Sequence, residues 1–282
     1  MGNVYVGINL EFDRPRGRSF EWSTAKAADM GFAYIEPMLH WGRELLSAAG
    51  YFHSVSMLDD PLRMRENVEG NGLKMSAISA HSPLCKPDVS TDYLKQAVRF
   101  SAEIGCPIVI TDDGPARPDW GGIDEHHVLM RYPLEEACAA AEPRGIIVGL
   151  ETHAEYTATP AAFARTAGLV DSPALKMNLD TGNSFLSGND PHAWLEEAID
   201  DVVHVHAKDI SKEDAERYRG KVRGMLGCAC GDGVIDWARI VETCRRAPRD
   251  LVLSVECGTV EDAEKSLAHL LSVGAQPGAA PE

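Results

Sequence analysis

Eight short apolar runs, each followed by a stretch with helical spacing, constrain this chain more than any other feature. The runs are VYVGIN (4–9), FAYIEP (32–37), LKMSAISA (73–80), CPIVITDD (106–113), GIIVGLE (145–151), LKMNLD (175–180), VVHVHAKD (202–209) and LVLSVE (251–256). Helical patterns follow over about 19–30, 61–71, 91–104, 125–142, 160–170, 190–198, 236–245 and 260–271. Strands separated by helices pair in parallel through right-handed crossovers. Eight such units with no linker between them predict an α/β fold: a single (β/α)8 TIM barrel over residues 1–274. An open doubly wound sheet is the alternative. Long loops are expected after strand two (38–59) and strand seven (210–234), with a disordered tail over 275–282.

Composition narrows the function classes. Of 282 residues, 44% are apolar and 25% charged, as in ordinary globular proteins. The formal net charge is −16, with acidic residues scattered along the chain. That balance argues against a nucleic-acid or anionic-membrane surface. No apolar stretch reaches the roughly 20 residues of a spanning helix, and no secretory pattern is visible. The seven cysteines are odd in number and lack scaffold spacing, so a cytoplasmic location is expected. No G-x-G-x-x-G follows the first strand and no phosphate-binding P-loop occurs.

The informative residues stand where the strands end, because the C-terminal strand ends of a barrel form its site. Strand two ends in Glu36, strand three runs into His81, and strand four ends in Asp112-Asp113. Strand five ends in Glu151-Thr152-His153, strand six in Asp180, strand seven in His206-Ala207-Lys208, and strand eight in Glu256. Ionisable groups at seven of eight strand ends are costly to desolvate without partners. Glu151, Asp180, His206 and Glu256 would converge on one divalent cation, and three carboxylates with one imidazole favour Mn²⁺, Mg²⁺ or Co²⁺, with Zn²⁺ also admitted. Within VVHVHAKD, alternation places His204, His206 and Lys208 on one face, His204 deepest as a hydrogen-bonded supporting residue. Lys208 would polarise a substrate oxygen or pair with a carboxylate. His153 would carry a proton or donate to substrate, and His81 is similarly placed. Glu36, Asp112 and Asn183 join the substrate-contacting set. His126-His127 opens a helix and is expected at the surface. The aromatic residues of His40-Trp41-Gly42-Arg43 and Tyr51-Phe52-His53 suit either a lid over a sugar face or an anchor for their own loop.

The stretches GLETH, NLDTGN, HVHAKD, GDGVIDW and SVECG, in this order at strands five to eight, resemble the sugar isomerase/epimerase-like (xylose isomerase-like) TIM barrels. The resemblance implies a metal held by Glu151, Asp180, His206 and Glu256, with Glu151 and Glu256 also moving protons beside a substrate carbonyl. The substrate class it implies is a keto sugar, and the reaction isomerisation or epimerisation. The chain departs from the 3-epimerase pattern: Asn183 stands where those enzymes carry histidine, Lys212 lies near the offset of their arginine, and a longer loop, SKEDAERYRGKVRGMLGCACGDG, follows strand seven. Similar barrels use the same enolisation to eliminate, as inosose and dehydroshikimate dehydratases do. The catalytic subunit of C-glycoside deglycosidases, which acts on 3-oxo-glycosides beside a smaller partner chain, is also similar. Glu151, His153 and the extended loop fit that alternative, which implies an oligomer with a small second subunit. An apurinic endonuclease, the third member of the comparison, needs further histidines and a basic face that a charge of −16 does not offer.

Overall fold

A computed structural model describes residues 2–16, 18–40, 55–114, 118–221 and 225–278. Strands β1 (Val4–Asn9), β2 (Tyr34–Glu36), β4 (Ile108–Thr111), β5 (Ile147–Glu151), β6 (Leu175–Asp180), β7 (Val202–Ala207) and β8 (Leu251–Val255) lie in one parallel sheet. The third strand, β3, is two short pieces, Lys74–Met75 and Ile78–Ser79. Its first piece pairs with β2 and its second with β4, so the ring closes through the third strand. The parallel bridge Met38↔Ser79 and the bond from Ser79 N to Pro37 O (3.0 Å) tie that junction. A closed ring replaces the open-sheet alternative, and the continuous strand expected over 73–80 is broken at Ser76-Ala77.

Helices α1 (Phe20–Met30), α2 (Pro61–Gly70), α3 (Pro87–Ile104), α4 (Ile123–Ala141), α5 (Pro160–Ala167), α6 (Pro191–Ala198), α7 (Trp237–Cys244) and α8 (Val260–Ser272) surround the ring. Their starts follow capping chemistry. Ser19 accepts from Trp22 N, Asp60 from Leu62 N and Arg63 N, and Thr259 from Asp262 N. Helix α3 begins at Pro87 rather than 91, because proline at the first helical position has no N–H to leave unsatisfied. The core between ring and helices holds Val6, Ile8, Val205, Leu253, Trp237 and Leu267, among others. Strand β7 is buried at all six positions, as a strand covered on both faces must be.

Four local features differ from the sequence pattern. A bulge between Val202 and His204 breaks the alternation of β7, so Val203 lines the barrel interior beside His204. The loop after β7 contains a helix, Lys212–Tyr218, capped by Ser211 on Asp214 N. A second short helix, Thr181–Leu186, follows β6 directly. Residues at the start of the tail expected to be disordered over 275–282 are ordered: Ala275 is buried, and the Gln276 backbone bonds to Val4 O (2.8 Å) and Val6 N (3.0 Å) along β1. In the loop after β2, Leu39–His40 and Val55–Ser56 pair in parallel, while the aromatic lid expected from Trp41 to His53 lies outside the described residues.

Candidate active site

The ionisable residues at the strand ends meet at the C-terminal mouth of the ring. His206 organises them. Its Nε2 lies 2.9 Å from Glu36 Oε1 and donates to that carboxylate, and against burial Glu36 and Glu151 raise the imidazole well above its ordinary value. Around Nδ1 stand Glu151 Oε1 at 3.4 Å, Glu256 Oε2 at 3.6 Å and Asp180 Oδ2 at 4.0 Å. Each of these carboxylates is held by its other oxygen. Glu151 Oε2 lies 2.9 Å from His81 Nε2, Asp180 Oδ1 accepts the Asn183 N–H at 2.8 Å, and Glu256 Oε1 meets the Lys208 ammonium at 2.7 Å. Asp180 is thus both the N-cap of the helix Thr181–Leu186 and a member of the cluster.

This donor set fits a divalent cation. Glu151, Asp180 and His206 offer three ligand atoms within 4.8 Å of one another, and Glu256 Oε2 joins them through its approach to Nδ1. Asp180 Oδ2 is buried and accepts no hydrogen bond; its contact is the Lys208 ammonium at 2.9 Å. Burial and the neighbouring Glu256 and Glu151 charges raise the Asp180 carboxyl, and Lys208 only partly offsets them. A bound cation relieves that repulsion. Oxygen and nitrogen ligands without thiolate suit a hard or borderline ion, and the carboxylate behind the histidine is the usual outer support of such a ligand. Glu36, His204 and His206 form a second close group, but it lies below the mouth: Glu36 and His204 are 0% exposed.

Not every residue expected to touch substrate is free to do so. Glu36 is shut behind His206 and bonded to Ser79 as well as to the imidazole. Against the effect of burial, His206, His204 and Ser79 hold its carboxyl at about 2, so the carboxylate is ionised and lies against the imidazole. Asp112 is buried and faces His153 Nδ1 at 2.7 Å, reaching the mouth only through that ring. Asn183 is buried and bridges Glu151 Oε1 (3.2 Å) and the Lys208 ammonium (3.2 Å). The accessible groups are His153 and His81, 30% and 19% exposed, and Glu256 at 13%. Burial works against protonation of both rings, yet Asp112 and Glu151 raise His81 to about 9 and His153 to about 10.

Further positions act in support. Asn178 stands between the histidines, with Oδ1 3.0 Å from His204 Nδ1 and Nδ2 3.2 Å from His206 Nδ1. Its place two residues before Asp180 on β6, hence on the same face, is the signal that finds it. Burial pushes His204 down to about 4, so it is a neutral supporting ring, as its depth on the strand implies. Asp113 accepts from Ala154 N, Tyr156 N and Thr157 Oγ1 and so shapes the turn that carries His153. His126 and His127, expected at the surface, are 7% and 4% exposed. Both rings meet Tyr156 edge-on, and His127 Nδ1 bonds to Ile123 O at 2.6 Å. Among the described residues, no helix is long and apolar enough to cross a membrane.

Known proteins resemble this chain over part or all of its length. The chain is 33% identical over 133 residues to 3-oxo-isoapionate decarboxylase of Pectobacterium atrosepticum, covering 47% of this chain and 46% of that one. It is 28% identical over 105 residues to inosose dehydratase of Lacticaseibacillus casei, 35% of each. These matches span about half, or less, of the curated relatives' length. Among solved structures, a D-tagatose 3-epimerase-like protein superposes with TM-score 0.74 at 18% identity, covering 95% of this chain and 96% of that one. The probable 3-DHS dehydratase of petrobactin synthesis from Bacillus anthracis superposes with TM-score 0.69 at 20% identity, covering 96% and 99%. These two likenesses concern the fold. Residues 24–273 match the family described as Xylose isomerase-like TIM barrel, and the chain belongs to that family.

Proposed function

We propose that this chain is a divalent-metal-dependent enzyme that removes a proton next to the carbonyl of a keto sugar, as an isomerase or epimerase. The observation that carries the reading is the convergence of Glu151, Asp180 and Glu256 on the Nδ1 of a histidine whose other nitrogen is fixed by Glu36. Glu151, Asp180, His206 and Glu256 are the ligands in this reading, and Mn²⁺ is the preferred ion. When bound, the ion polarises the substrate carbonyl and so acidifies the neighbouring C–H. Glu256, reachable at the mouth, and Glu151 on the other side of the cluster carry the proton. His81 holds Glu151 in place, and Lys208 offers positive charge to a developing oxyanion.

A second reading has its own support. The Asp112–His153 pair adds a proton carrier whose Nε2 is turned away from its carboxylate partner. An imidazolium so oriented can protonate a departing oxygen. That favours a lyase, a dehydratase or an enzyme opening 3-oxo-glycosides with a small partner subunit, and both named curated relatives are bond-breaking enzymes by name. Seven unpaired cysteines, six of them buried, fit a reducing cytoplasm.

The test is a panel of ketoses, inososes and 3-oxo-glycosides incubated with the Mn²⁺-loaded protein in deuterated water. Deuterium enters the carbon beside the carbonyl of the true substrate, and Glu151→Gln lowers that exchange by at least about a hundredfold. Full exchange in Glu151→Gln removes Glu151 from proton transfer. Exchange by wild-type protein that survives removal of all divalent metal sinks the metal-dependent reading. His153→Ala separates the two readings: it blocks product formation but spares exchange in a lyase.

A further inference from the structure

This inference rests on the metal reading above and concerns what shares the ion's place. The Lys208 side chain enters the cluster through a slot whose walls leave no room for a Cβ. A Cβ on Gly182 would lie 2.6 Å from Lys208 Cγ and 2.7 Å from Cδ, and one on Gly227 would lie 2.9 Å from Cγ. Two glycines on separate segments thus admit one aliphatic stem. At its end the ammonium meets Glu256 Oε1 at 2.7 Å, Asp180 Oδ2 at 2.9 Å and Asn183 Oδ1 at 3.2 Å. The ammonium is thus ringed by three oxygens, and its contact with Asp180 Oδ2 is an ion pair without a hydrogen bond.

One of those acceptors is contested. Asp180 Oδ1 is occupied by the Asn183 N–H, which leaves Oδ2 as the oxygen for a divalent ion, and Lys208 already holds it. The remaining ligand atoms do not meet the ammonium, and two of them meet neutral amides: Asn183 Nδ2 lies 3.2 Å from Glu151 Oε1 and Asn178 Nδ2 3.2 Å from His206 Nδ1. Glu256 gives Oε1 to Lys208 and turns Oε2 toward His206 Nδ1, and Glu151 turns Oε1 there. We propose that Lys208 and the divalent ion compete for Asp180 Oδ2, and that loading the ion frees the Lys208 ammonium from this ion pair for a substrate oxygen. The doubly charged ion takes the oxygen, and the ammonium stays tethered to Glu256 and Asn183. Two like charges a few ångströms apart weaken each other's binding, so Lys208 lowers the ion's affinity. In return, the site acquires its oxyanion donor only once the ion is present.

Calorimetric titration of metal-free wild-type, Lys208→Met and Gly182→Ala proteins with MnCl₂ tests the competition. Removing the ammonium charge tightens Mn²⁺ binding by about tenfold or more. Gly182→Ala leaves every ligand in place but crowds the lysine stem away, and it tightens binding by a smaller factor. Circular dichroism confirms the fold of each variant, and Gly182→Ala carries the test where Lys208→Met does not fold. Equal or weaker binding in a folded variant overturns the competition. Release of the ammonium from Asp180 is read from the ¹⁵Nζ resonance of Lys208, which shifts on saturation with diamagnetic Mg²⁺; an unmoved resonance overturns it. Wild-type protein that binds neither ion overturns the metal reading itself, a failure distinct from the other two.

Discussion

At the scale of single residues, the candidate site is a set of paired atoms, each clustered carboxylate held by a partner on the oxygen turned away from His206. Glu36 is the deepest of these partners. Its charge fixes the tautomer of His206 and raises the basicity of Nδ1. Glu36→Gln keeps the shape and loses the charge, and calorimetry with Mn²⁺ is expected to show affinity falling about 10–100-fold. Unchanged affinity would make Glu36 a packing residue only. Asp112 has the same relation to His153. In metal-free protein, Asp112→Asn lets the His153 imidazole fall from about 10 toward its ordinary 6.5, a change that histidine-selective NMR titration reads directly. The sign follows from linkage: a raised imidazole stabilises the fold below pH 6.5, and that contribution fades as pH climbs toward 10. At this scale the identities of Glu151, Asp180, His206 and Glu256 are legible, because each ends a strand. The depth of Glu36 is not, since a strand end says which face a side chain takes and nothing of which neighbour stands in front of it.

At the scale of elements, the segment after β7 shows how a short motif becomes structure. The Asp209 carboxylate accepts from Ile210 N, Gly231 N, Gly233 N, Ile235 N and Trp237 Nε1, at 2.9–3.2 Å. It fastens the stretch GDGVIDW to the strand that carries His206 and Lys208. A Cβ on Gly233 would lie 2.1 Å from Asp209 Oδ1, so glycine is needed for this approach. Asp209→Ala strands several buried donors, each costing about 1–3 kcal/mol. Urea unfolding is expected to show a loss of more than about 3 kcal/mol, and a loss below 1 kcal/mol would deny Asp209 this role. Periodicity reveals the strands and helices because apolar spacing reports burial. It does not reveal the bulge at Val203 or the break at Ser76-Ala77, which depend on how neighbouring strands meet. Nor does it reveal that Tyr156, one turn beyond β5, covers His126 and His127.

At the scale of the whole molecule, the ring places one strongly acidic cluster at its mouth, above a buried polar layer that includes Glu36, Asn178 and His204. Glu151, Asp180 and Glu256 reach the cluster from the ends of β5, β6 and β8, and His206 joins them from β7 between the last two. Burial and the Glu256 and Glu151 charges raise the Asp180 carboxyl, so the strain within this cluster falls on that residue. An ion that binds there binds the folded ring only, because in the unfolded chain these residues are scattered over more than a hundred positions. Free Mn²⁺ at about a hundredfold its dissociation constant adds about 2.7 kcal/mol of stability. For a chain of this size that raises the melting temperature by roughly 5–10 °C. Calorimetric scans with and without Mn²⁺ measure the shift, and a chelator reverses it. Asp180→Asn, which keeps the N-cap but removes the contested charge, abolishes most of the gain while leaving the metal-free melting temperature equal or higher. A metal-free variant that melts well below wild type would show instead that Asp180 serves the fold through its ion pair with Lys208, and the cluster would be a structural salt bridge with no strain for an ion to relieve.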